Sequence, residues 1–180
     1  MIDEFDQIIS ELSKINCELT NEKADQILKM FLNAKSIFLS GEGRSGLMIN
    51  ALANRLTQFG LSVHIVNEVT APAIGKDDLL IFNSASGKSS ILISQEESAK
   101  KANAKIIVFT ANKKALLSQK SDVSILIDAQ DKDIAGSSIQ PMGSLYEQAS
   151  LLLFDSLVLR ALHNNLVTVS QLRSVHSNLE

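Results

Sequence analysis

The chain predicts an α/β fold, a three-layer αβα sandwich built on a five-stranded parallel sheet. Three observations predict it. Short apolar runs alternate with helix-like segments through the middle of the chain. The runs are nearly continuous, as in Lys105-Ile106-Ile107-Val108-Phe109, which suits strands covered on both faces. Repeated strand–helix–strand order implies right-handed crossovers and parallel pairing.

The elements follow in order. Residues 3–16 carry Phe5, Ile8, Ile9, Leu12 and Ile15 at helical spacing and predict a first helix. A second has Thr20 as its N-cap and Ala24, Ile27, Leu28 and Phe31 on one face. Together these N-terminal helices span about residues 3–33. Strands are expected at about 35–40, 62–66, 78–83, 105–110 and 122–127, and helices at about 45–59, 89–103 and 113–119. Segment 128–143 is a polar loop with Gly136, Pro141 and Gly143, long enough to serve binding. A helix follows at about 145–163. Its Leu151, Leu152, Leu153, Phe154, Leu157, Val158 and Leu159 wrap nearly its whole circumference. A helix apolar all round is buried on all sides, which in a chain this small predicts contact with a second subunit. The tail, about 168–180, opens on Thr168-Val169-Ser170-Gln171, a capping-box pattern.

Bulk properties narrow the function. At 180 residues, one domain over 1–180 is expected. Net charge is −3, which argues against nucleic acid as a partner. Cys17 is the one cysteine, so no internal disulfide forms, as suits a reducing compartment. The start does not resemble a signal peptide and no run of about 20 apolar residues occurs, so a cytoplasmic protein off the membrane is expected. Aromatics are 4% with no Trp, so surfaces for stacking bases or sugars are poorly supplied.

Two Ser/Gly-rich loops stand at strand ends. Gly41-Glu42-Gly43-Arg44-Ser45-Gly46 follows Ser36-Ile37-Phe38-Leu39, and Ser84-Ala85-Ser86-Gly87-Lys88-Ser89 follows Leu79-Leu80-Ile81-Phe82. A strand, a glycine loop and a helix start aim free N–H groups and a positive dipole end at one point, where anions bind. Serine hydroxyls add donors without charge. In parallel α/β sheets, ligands sit beyond the carboxyl ends of the strands at a switch point. The pair of loops points to a phosphorylated small molecule. The first loop matches the dinucleotide fingerprint only in part, because its third glycine comes one position early. The second lacks the P-loop lysine pattern, which disfavours nucleotide hydrolysis.

Each candidate has a plainer alternative. Ser45 is a phosphate ligand or a helix cap. Ser84, Ser86 and Ser89, around Gly87, supply more hydroxyls than one cap requires, and Gly43 stands in the first loop beside Ser45. Arg44 contacts substrate or is a solvated charge, Lys88 is equally open, and Glu68 joins either the site or a salt bridge. Glu147 closes a capping box in Ser144-Leu145-Tyr146-Glu147, or it is a partly desolvated carboxylate of general-base character above Leu151, Phe154 and Val158. His176 is a tail residue or a catalyst, while His64 in a strand and His163 at a helix end read as structural. No His/Cys/Asp/Glu cluster has metal-ligand spacing, so no metal is expected.

With these residues assembled, the chain resembles the sugar isomerase (SIS) domain family, and within it the 6-phospho-3-hexuloisomerases, over essentially its whole length. Its marks are the two loops, Asn67-Glu68-Val69-Thr70-Ala71-Pro72-Ala73-Ile74, Ser138-Ile139-Gln140-Pro141-Met142-Gly143-Ser144-Leu145-Tyr146-Glu147-Gln148, and the ending His176-Ser177-Asn178-Leu179-Glu180. The resemblance implies a flavodoxin-like fold. It implies interconversion of a 3-hexulose 6-phosphate and fructose 6-phosphate, a step in formaldehyde fixation or detoxification, with no cofactor. It implies a homo-oligomer, a tetramer. It also implies that Ser45, Ser84, Ser86 and Ser89 hold the phosphate, that Glu147 is the base, and that Arg44 and His176 lie near the sugar oxygens. The chain departs from the family pattern at Ala85, Lys88, Ser89 and Val175. The rival is an SIS module that senses a sugar phosphate without converting it. The usual regulators add a DNA-binding helix-turn-helix, for which this chain has neither spare length nor a basic segment.

Overall fold

A computed structural model describes residues 2–129 and 138–178. Gly136 of the predicted loop, and Leu179 and Glu180 of the tail motif, lie outside the described residues. The elements run α1 (Asp3–Leu12), β1 (Asn16–Cys17), α2 (Asn21–Asn33), β2 (Ile37–Gly41), α3 (Gly43–Gln58), β3 (Val63–Ile65), β4 (Leu79–Asn83), α4 (Ser90–Lys101), β5 (Lys105–Thr110), α5 (Leu116–Lys120), β6 (Val123–Asp128), α6 (Ser144–His163) and α7 (Val169–Ser174).

The sheet order is β1-β6-β5-β4-β2-β3. Strands β2 to β6 are all parallel, as expected. β1 is an addition, pairing antiparallel with β6 through Asn16↔Asp128 and Cys17↔Ile127. The predicted first helix over 3–16 therefore stops at Leu12, and Ile15 packs on the core from the approach to β1. No residue of α1 is buried, and Phe5 and Ile9 are exposed.

Continuous apolar strands put side chains on both faces of the sheet. Leu39, Ile81, Ile107 and Ile125 meet α2, α3 and α6 on one face. Phe38, Leu80, Phe82, Ile106 and Val108 meet α4 and α5 on the other. The result is three layers. Thr20 caps α2 by accepting from the Lys23 N–H, and the Thr168–Gln171 capping box closes α7.

α6 packs on α1, α2, α3 and β6. Arg160 grips Asp25 of α2 through Nε and Nη2, both at 2.7 Å. Most of the helix's apolar circumference is thus covered within the chain. Phe154, Leu157 and Val158 are buried, whereas Leu152 and Leu159, one face seven residues apart, remain exposed. Among the described residues no helix is long and apolar enough to cross a membrane.

Candidate functional site

The strand order places the site. From β2 the chain moves outward to β3, then crosses back to β4 on the other side of β2. The direction reverses between β2 and β4, and such a switch point is where parallel α/β sheets bind ligands beyond the strand ends. Gly41 and Asn83 are register partners at that edge, and each is followed by one of the two loops. The first loop is compressed. A Cβ on Gly41 would stand 2.8 Å from the Asn83 carbonyl oxygen, and one on Gly46 would stand 2.6 Å from that of Gly41. Only glycine lets α3 start this close to the sheet.

α3 begins at Gly43, earlier than expected, so Ser45 lies inside its first turn. Ser45 is not a helix cap, since Glu42 holds that position and makes no side-chain capping bond. α4 begins at Ser90 with Ser89 as its cap, the hydroxyl accepting from the Leu92 N–H at 3.3 Å. Neither helix has an acidic residue in its first turn. Both helices therefore present their positive dipole ends at the loops without an acidic residue in their own first turns.

The β4–α4 loop is held rigid. Ser84 Oγ accepts from the Gly87 N–H at 3.2 Å and Ser86 Oγ from the Lys88 N–H at 3.4 Å. Thr110 Oγ1 donates to the Ala85 carbonyl oxygen and Asn112 Nδ2 to that of Ser86. Gly87 has φ +60, and a Cβ there would collide with Cβ of Ala115. A hydroxyl that accepts from the backbone keeps its own proton for an outside acceptor. Ser84, Ser86 and Ser89 all stand in that state.

The charged half of the site is built where α3 meets α6. Arg44 Nε lies 3.0 Å from Glu147 Oε2, and Arg44 Nη1 donates to Ser144 Oγ at 2.9 Å. Ser144 in turn donates to the Pro141 carbonyl oxygen at 2.8 Å. The capping-box alternative for Glu147 fails here. The N-cap of α6 is Gly143 at φ 80, with no side-chain capping bond, and Ser144 is already inside the helix. Glu147 is buried, and its Oε2 has no hydrogen-bond partner among the described residues despite the nearby guanidinium. Burial pushes its pKa above the ordinary carboxyl value, and the Arg44 charge pulls part of the way back.

Beneath both halves lies Asn83, fully buried at the end of β4. Its Nδ2 donates to the Ser45 carbonyl oxygen at 3.0 Å and to Ser150 Oγ at 3.2 Å. Its Oδ1 accepts from the Tyr146 hydroxyl at 2.6 Å. Sequence reasoning missed Asn83, Ser144, Tyr146 and Ser150 as parts of the site. The available signal was the cluster of polar residues at 144, 146, 147, 148 and 150, ahead of the apolar run 151–154.

Lys88 and Glu68 are exposed. His176 follows α7, exposed, with Nδ1 3.0 Å from the Ser177 carbonyl oxygen. Among the described residues no group of three or more His, Cys, Asp or Glu side chains is placed to hold a metal ion.

The SIS domain model matches residues 30–153, the stretch holding both loops and Glu147. A 3-hexulose-6-phosphate isomerase of Bacillus subtilis is 34% identical over 97% of this chain and 96% of its own. One from Mycobacterium gastri is also 34% identical, over 97% of this chain and 92% of its own. A Methanococcus jannaschii crystal structure, from which a function of 3-hexulose-6-phosphate isomerase was inferred, superposes with a TM-score of 0.83. It is 26% identical and the match covers 99% of this chain and 100% of that one. A family match that takes in the switch point, the serine loop and the buried carboxyl, with relatives aligned nearly end to end, makes this chain a member of the SIS domain family.

Proposed function

We propose that the protein is an isomerase that interconverts D-arabino-3-hexulose 6-phosphate and D-fructose 6-phosphate through a cis-enediolate, in formaldehyde fixation or detoxification. The observation that carries it is the buried Glu147 carboxyl, paired with Arg44 of the first Ser/Gly loop, which leaves the sheet where the strand order reverses. Relatives of similar length bearing the isomerase name support it.

The chemistry moves a carbonyl from C3 to C2. Glu147 takes the proton from C2, giving a 2,3-enediolate, and returns it to C3. The hydroxyl proton passes from the C2 oxygen to the C3 oxygen. Charge that develops on those oxygens needs a positive neighbour, and Arg44 supplies it. A raised Glu147 pKa suits a group that must both take and give a proton. Ser45, Ser84, Ser86 and Ser89, with Gly43 and Gly87 shaping their loops, bind the phosphate. Binding energy remote from the reacting carbons then orients them. His176 polarises a sugar oxygen, from its own or a neighbouring subunit. No redox or metal chemistry enters this route.

The enzyme works in the cytoplasm as a homo-oligomer, a tetramer by family resemblance, with Leu152 and Leu159 of α6 in a subunit contact. Incubating purified protein with the 3-hexulose isomer and measuring fructose 6-phosphate tests the reaction. Turnover is expected. Binding without conversion would make the chain a sugar-phosphate sensor instead.

A further inference from the structure

From the end of β4, the Asn83 side chain hydrogen-bonds to Ser45 of α3 and to Tyr146 and Ser150 of α6. It stands immediately before Ser84, the first residue of the serine loop. Its Nδ2 holds the carbonyl of Ser45, whose neighbour is Arg44. The second Nδ2 proton goes to Ser150 Oγ, and Ser150 donates to the Glu147 carbonyl oxygen at 2.8 Å. Its Oδ1 takes the hydroxyl of Tyr146, the residue before Glu147.

The orientation of the amide is forced. Ser45 offers a backbone carbonyl, which only accepts, so Nδ2 must face it. The Ser150 proton is committed to the Glu147 carbonyl, so Ser150 Oγ accepts from Asn83. Tyr146 has one hydroxyl proton and two acceptors within reach, Asn83 Oδ1 at 2.6 Å and the Phe109 carbonyl oxygen at 2.8 Å. The shared proton ties α6 to the ends of β4 and β5 at once. Asn83, Tyr146 and Ser150 are all fully buried, so this network is held in a low dielectric where its geometry is stiff.

A hydrophobic side chain of similar size would fill the same space at the end of β4 but take a hydrogen bond from each of Ser45, Tyr146 and Ser150. A fully satisfied amide at this place holds three elements in one register. We propose that Asn83 is a positioning residue that sets the distance between the Glu147 carboxyl and the two phosphate-binding loops. The inference rests on Glu147 being the base. The phosphate is gripped by the loops and the proton is handled by α6, so substrate reacts only if those two bodies are correctly spaced. Misplacement of a reacting group by about 1 Å can cost on the order of 100-fold in rate.

Tyr146→Phe and Ser150→Ala each cut one arm of the network without removing Asn83 or any group that touches substrate. We expect kcat to fall about 10- to 100-fold in the double variant. The dissociation constant for inorganic phosphate should stay within about twofold, because the serine loop is bonded independently to Thr110 and Asn112. Assays are run well below the melting temperature of each variant, beside Glu147→Gln. A double variant that melts earlier yet keeps wild-type kcat makes the network structural only and overturns the inference. Loss of kcat and phosphate affinity together also overturns it, since the loops would then have collapsed. If Glu147→Gln retains turnover, the base assignment fails and this inference falls with it. If Glu147→Gln is inactive while the double variant has wild-type kcat, only the inference about Asn83 is overturned.

Discussion

Arg44 Nε stands 3.0 Å from Glu147 Oε2, but the two partners meet water very differently, with side chains 54% and 11% exposed. The carboxyl is held by the fold, and the guanidinium reaches it from the solvent side. Such a pair adds little to stability, because the exposed partner is screened. Its consequence is chemical. Burial favours the neutral acid and Arg44 favours the carboxylate, and the balance sets when Glu147 can accept a proton.

Arg44→Gln is therefore expected to change the pH profile as well as the rate. Without the positive charge the Glu147 pKa rises further, so the acidic limb of kcat/KM moves to higher pH. Plateau kcat should fall about 100-fold as the enediolate loses its positive neighbour. Profiles of both enzymes check this, and a limb that stays or moves to lower pH would contradict it.

Phosphate anchoring has a thermodynamic signature. Ser84→Ala with Ser86→Ala removes two neutral donors and should cost about 2–3 kcal/mol of substrate binding, at about 1–1.5 each. Calorimetric affinity for fructose 6-phosphate, with KM, reads the effect. Unchanged values would remove these hydroxyls from the phosphate site.

Glu96 of α4 lies on the opposite side of the sheet, fully buried, with neither oxygen hydrogen-bonded among the described residues. Burial raises its pKa, Glu97 adds to the rise, and Lys120 and Lys100 oppose it. A carboxyl whose folded pKa exceeds its unfolded value holds its proton more tightly in the native state. Stability is then lost as pH rises from the unfolded value through the folded one. Glu96→Met should stabilise the protein by on the order of 1 kcal/mol at neutral pH and by less in acid. Denaturant melts at the two pH values measure this, and an equal effect at both would count against it.

Assembly is tested at the surface of α6. Leu157 is 1% exposed and belongs to this chain's own core, so a charge there tests the fold rather than the contact. Leu152→Asp with Leu159→Asp places charges on the exposed strip instead. Sedimentation should show an oligomer for the natural chain and smaller species for the variant. A natural chain that sediments as a monomer at micromolar concentration would contradict the assembly.

The parallel strands and the two Ser/Gly loops at their carboxyl ends were legible in the sequence because both are local patterns. A β-branched run and a Ser/Gly turn declare themselves within six residues. β1 was not legible. Ile15 continues the helical spacing of Leu12, and only pairing with Asp128 and Ile127 turns the chain into a strand. The capping box at Ser144 was a correct local pattern overridden by its surroundings. Met142 and Gly143 both take positive φ, which starts the helix one residue early and sends the Ser144 hydroxyl to Pro141. Asn83, Tyr146 and Ser150 have no sequence signal as a group, because their bonds exist only once β4, α3 and α6 converge.

Glu147→Gln with solvent deuterium exchange tests whether Glu147 carries the proton. Gln keeps the size of the side chain but cannot take the C2 proton. We expect a fall in kcat of at least about 100-fold, near-complete loss of deuterium incorporation into fructose 6-phosphate, and a melting temperature and phosphate affinity near those of the natural chain. Retained turnover together with retained exchange would contradict it and remove Glu147 from the proton transfer.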